Sequence, residues 1–220
     1  LVKVSLLSLL RDRTTLVILC VWPLIIFNEV MSGIGQVDAL STLSQNSIDA
    51  LNLVAFDVFE VFGAFAIALW SWSICSRDQG YDFAELVAAT PISNRQLLGA
   101  HSLTLSAMVF LLMLLTALGA GLAEVFAASD WLPIHYLVQL GLSGLPLMLL
   151  GVIFVCLHHL CRSRLVSGII VALILGIKFT PIMTALGLTH TLWNIGSAPL
   201  QAPDNFWGYS ASLSVYLPYT

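Results

Sequence analysis

Apolar residues in this chain come in long unbroken runs, not in alternation with polar ones. Five stretches reach the roughly 20 residues that a bilayer-crossing helix needs. They cover about 14–34 (with Pro23 inside), 54–74, 97–122, 136–157 and 165–186, and a sixth starts near 213. Continuous runs of this length predict helices, since barrel strands would alternate. Residues 1–13 form a separate element. Their apolar positions are flanked by Lys3, Arg11 and Arg13, and the stretch is too short to span. It reads either as an interfacial helix lying along one leaflet or as an inward extension of the first span. The expected fold is all-α: a polytopic helical membrane protein with an interfacial helix, five complete spans and the start of a sixth. The chain opens on Leu1 and stops at Thr220, soon after the last apolar run begins, so a piece of a longer polypeptide is expected.

Composition supports the same class. Of 220 residues, 59% are hydrophobic and 9% charged, with a mean hydropathy of +0.95; soluble domains carry about 25% charge. Eight basic against 12 acidic residues, and a net charge of −4, leave no basic patch for phosphates, which excludes nucleic acid as a partner. Placement of the basic residues is more informative. Lys3, Arg11 and Arg13 precede the first run, Arg77 and Arg95 lie between the second and third, and Arg162 and Arg164 lie between the fourth and fifth. If the spans alternate, these seven share one side, and the opposite connections (35–53, 123–135 and 187–212) hold no Lys or Arg. That side is expected to be cytoplasmic. Lys178 is the exception, inside the fifth run. It either snorkels to the outer surface or pairs with an acid on a neighbouring span.

The connection 76–96 is not a random loop. Asp82 and Glu85 have capping-box spacing, Phe83, Leu86 and Val87 make one apolar face, and Thr90-Pro91 ends the helix. Ser93 or Asn94 then caps the next helix. The order Arg77-Asp78, Glu85-Leu86-Val87, Ala88 to Ser93 and Arg95 resembles the segment after the second span in type-2 ABC transporter permeases. The outer stretch 188–209 resembles a loop in the second permease half of a subset fused to, or encoded beside, a gluzincin-type zinc aminopeptidase; the matching positions include His190, Gly196, Pro199 and Gly208. Two places depart from the pattern: Asp204 to Gly208, and Gln79 to Tyr81.

The resemblance implies an elbow helix at 1–13, a transmembrane domain over 14–220, an ATPase-coupling segment at 76–96 and an outer gate loop at 187–212. The coupling residues would be Arg77, Asp78, Asp82, Glu85, Pro91 and Arg95. It further implies a transporter, an exporter by type, in a bacterial cytoplasmic (inner) membrane. ATP and Mg would sit on a separate ABC ATPase subunit, and the other partners would be a second permease half or homodimer partner and the zinc aminopeptidase domain.

The chain itself holds no G-x-x-x-x-G-K-[ST] loop and no H-E-x-x-H, so neither ATP hydrolysis nor peptidase chemistry is expected in it, and no cofactor is expected. Asp57 and Glu60 are three residues apart on one helix face, continued by Ala64 and Ser71. With Lys178 they are candidates to line a translocation path; the alternative is hydration at the headgroup level. Cys156, His158, His159 and Cys161 close the fourth run, but at 3.6 residues per turn they point two ways, so no metal site is expected. His101, His135 and His190 read as isolated polar residues, and Cys20 and Cys75 as small apolar ones. The alternative to a transporter is a non-transporting membrane scaffold or assembly factor.

Overall fold

A computed structural model describes residues 2–38, 58–78, 93–127, 133–161 and 163–180. These are helical, with no strand among the described residues. The helices are α1 (Val2–Leu10), α2 (Arg13–Asp38), α3 (Glu60–Asp78), α4 (Asn94–Ala127), α5 (Pro133–Leu160) and α6 (Arg164–Phe179).

α1 and α2 are two helices, not one. The backbone turns at Arg11-Asp12, where Asp12 N bonds back to Leu9 O and Asp12 O accepts Leu16 N to open α2. α1 lies across one end of the bundle, burying Leu9 completely while Val4 stays exposed. It rests on α4 and α3, and Arg77 at the end of α3 donates to the Ser8 hydroxyl.

The long helices alternate in direction. Trp70, late in α3, donates from Nε1 to Thr15 Oγ1, early in α2, at 3.1 Å. At the other end Phe27 of α2 meets Phe126 of α4 edge to face, 5.8 Å between centroids. This alternation gathers Arg11, Arg13, Arg77, Arg95 and Arg164 at the end that carries α1, all solvent-exposed. We call it the basic end.

α2 packs on α4, α4 on α5, and α5 on α3, with α6 against α5 and α3. The core along these seams is apolar and fully buried at Ile26, Phe59, Ile67, Met108, Leu112, Leu147 and Phe154. Two buried indoles find hydroxyl partners, as buried Trp N–H groups require. Trp22 Nε1 donates to Thr116 Oγ1 at 2.8 Å, and that hydroxyl donates onward to Leu112 O at 2.8 Å. The outward faces are apolar too: Leu24, Leu118, Leu149, Leu165 and Ile169 are all exposed. Such a surface suits lipid rather than water.

Among the described residues, three helices are long and apolar enough to cross a membrane: Arg13–Ser32, Asn94–Phe126 and Leu140–Leu160. The expectation was five complete spans and the start of a sixth. In the second run, helix α3 begins at Glu60, and its Trp70, Ser71, Trp72, Ser73 and Arg77 dilute its hydropathy. In the fifth run, α6 has 16 residues, about 24 Å at 1.5 Å per residue, short of a hydrocarbon core of about 30 Å. Thr180 is extended (φ −108°, ψ 151°), as the residue before a proline tends to be. The sixth run lies outside the described residues.

Candidate functional site

Polar side chains concentrate at the two ends of the bundle. At the far end, Lys178 of α6 reaches Glu60 of α3, Nζ to Oε1 2.9 Å, with side chains 5% and 16% exposed. The antiparallel course of the chain brings the first residue of α3 beside the last turn of α6. Of the two readings of Lys178, pairing with an acid is therefore the one observed. Its Nζ also lies 5.5 Å from the Phe179 ring centroid, and Phe179 stacks on Phe65 of α3. Ala64 and Ser71, on the same α3 stripe, are fully buried, so the stripe faces the helix bundle. Asp57 lies outside the described residues. Glu124, fully buried on α4, belongs to a turn beyond the expected end of the third run.

At the basic end, three helices bring together Cys75 (α3), His101 (α4) and His159 (α5). One ligand-type atom from each lies within 4.8 Å of the others. His101 Nδ1 and His159 Nε2 face each other at 3.2 Å, with the rings 23° from parallel. Cys75 and His101 are buried, whereas His159 is exposed. A surface cleft of about 390 Å³ leads to His159, lined also by Asn94, Arg95, Leu98, Cys156 and Leu160. His158 takes the opposite direction. Its Nδ1 lies 2.8 Å from Ser167 Oγ on α6, and its ring meets Trp72 edge to face. No disulfide joins the four cysteines.

The start of α4 is closed by a reciprocal cap. Gln96 N donates to Ser93 Oγ at 3.3 Å, and Ser93 N donates to Gln96 Oε1 at 3.1 Å. This is a capping box with glutamine at its fourth place, and it settles on Ser93 over Asn94. Arg77 and Arg95 flank the connection between α3 and α4, both exposed, and Asp78 closes α3. Asp82, Glu85 and Pro91 lie outside the described residues, as do His190, Gly196, Pro199 and Gly208.

Sequence reasoning missed the triad at the basic end. His101 and His159 are 58 positions apart, and Cys75 is on a third helix; no local spacing connects them. The one available signal was topological: alternation puts the end of α3, the start of α4 and the end of α5 at the same level.

No protein-family model, curated protein or solved structure matches the chain.

Proposed function

We propose that the chain is the membrane-spanning permease component of an ABC-type transporter, with ATP hydrolysed on a separate subunit. In this reading the five apolar runs and the start of a sixth all belong to the transmembrane domain, and the basic end faces the cytoplasm, as the positive-inside rule requires.

The observation that carries the reading is the mounting of segment 79–92. Helix–helix connections in bundles usually take about 2–8 residues, and this one is longer. Both of its ends are fixed. Arg77 ties the end of α3 to Ser8 of α1, and the Ser93–Gln96 box closes the start of α4. A connection of this length between two anchored helix ends, beside α1, suits a docking element. The sequence of 82–90 predicts a short amphipathic helix there. A push on it would be transmitted to α3 and α4 as rigid bodies, biasing two arrangements of the bundle. The Glu60–Lys178 pair, at the opposite end of α3, then clasps α3 to α6 where a path would open.

Uncoupling variants test this. Glu85→Ala and Arg95→Ala are expected to lower transport-linked ATP hydrolysis roughly tenfold, the size of a coupling free energy of about 1–2 kcal/mol, with membrane insertion unchanged. Wild-type hydrolysis and transport in both variants would remove the coupling assignment.

A further inference from the structure

We propose that Cys75, His101 and His159 form a binding site for a thiophilic transition-metal ion of the zinc or copper(I) class. The proposal stands independently of the permease reading. One thiol and two imidazoles are the donor set such ions prefer. Three protein ligands with a fourth position left to water is an arrangement zinc accepts.

The geometry is close to what coordination needs. Nitrogens bound to one tetrahedral zinc at about 2.0–2.1 Å sit roughly 3.3 Å apart, and a sulfur at about 2.3 Å sits roughly 3.6 Å from each nitrogen. The two facing nitrogens are 3.2 Å apart, and the ligand-type atoms of all three residues fit within 4.8 Å. The ligands come from α3, α4 and α5, so a bound ion would fasten three helices at one level. The site is also reachable, because His159 is exposed on the cleft lined by Cys156 and Arg95. Arg95 is exposed at the rim, where solvent and salt screen its charge.

Binding has a defined proton balance. The Cys75 thiol loses its proton to solvent as the S–metal bond forms. The imidazole that donates across the 3.2 Å gap moves its proton to its far ring nitrogen, so that both facing nitrogens present lone pairs. The ion accepts three electron pairs, nothing is oxidised or reduced, and one proton is released per ion.

Cobalt(II) is the probe. Titrated into the purified protein in detergent, it should give a thiolate-to-cobalt charge-transfer band that saturates at one ion per chain and is displaced by zinc. Cys75→Ser should abolish the band. His159→Asn, on an exposed side chain, should weaken cobalt affinity by at least about 10–100-fold, the effect of losing even a residue that only orients a metal ligand. Cys156→Ser and Cys161→Ser should leave the band unchanged. Tryptophan emission and thermal unfolding in the absence of metal establish that each variant is folded. Absence of the band in the wild type would overturn the proposal. So would a band that survives Cys75→Ser in folded protein, or one lost with Cys156 or Cys161.

Discussion

Lys178→Met and Glu60→Gln, made singly, are each expected to destabilise the bundle by about 3 kcal/mol, while the double variant returns to near the wild-type value. Removing one member of a buried pair takes a charge-assisted contact away from the other in a low-dielectric surrounding, and breaking such a pair costs about 3–5 kcal/mol; replacing both members is often neutral or stabilising. The lower part of that range applies because the Glu60 side chain keeps 16% of its exposure. The nitrogen-to-oxygen distance of 2.9 Å is that of a charge-assisted hydrogen bond, so the loss includes a directed contact as well as Coulomb attraction. Unfolding in detergent, compared across the four proteins, gives the interaction energy directly. Equal stability of all four, or losses that simply add in the double variant, would contradict the clasp. Under the transport reading the double variant should also hold α3 and α6 together without charge and lower transport, since the contact no longer weakens when water enters a path.

Gly119→Leu is expected to push α2 and α4 apart and to cost several kcal/mol. A Cβ at position 119 would lie 2.7 Å from the Pro23 carbonyl oxygen, 3.2 Å from Pro23 Cα and 3.2 Å from Ile26 Cβ. Backbone atoms cannot rotate away, so the helices themselves must move. Small residues at helix crossings in membranes serve this close approach. The same seam holds the Trp22–Thr116 hydrogen bond, which a displaced α4 would break, leaving a buried indole N–H at a cost of about 1–3 kcal/mol. Overpacking adds typically 1–3 kcal/mol. Gly141 is the control: nothing lies within 4 Å of a Cβ built there, so Gly141→Ala should be neutral, or stabilising by up to about 1 kcal/mol through helix propensity. Equal unfolding midpoints for Gly119→Leu and the wild type would refute the close crossing.

Much of the architecture is legible in the sequence because the properties that set it are local. Continuous apolar runs predict an all-helical chain, though not which runs make helices long and apolar enough to span. The charged, short 1–13 segment leaves two readings, a separate helix or an inward extension of the first run, of which the described residues show two helices. Seven basic residues on alternate connections predict one basic end, where all of the described arginines lie together. Helix ends were less legible. Hydropathy carries the fifth run through Pro181, whereas Thr180 before that proline is extended. The far end of α4 was extended by one turn, and that turn buries Glu124. Contacts between helices were least legible, because they depend on how each helix is rotated about its axis. Lys178 could be narrowed to two readings, since it is visibly charged within an apolar run, but its partner Glu60 could not be named. Cys75 with His101 and His159 could not, since each alone looks like an ordinary small or polar residue.

The claim that 82–90 docks on an ATPase is tested most directly by a benzophenone amino acid introduced in place of Glu85 in native membranes, with illumination in ATP and then in ADP. The account predicts an adduct with a polypeptide that carries G-x-x-x-x-G-K-[ST], at a yield that changes with the nucleotide. The same probe in place of Val125, exposed at the far end of α4, should give no such adduct. No ATPase adduct from position 85, or equal adducts from both positions, would contradict it.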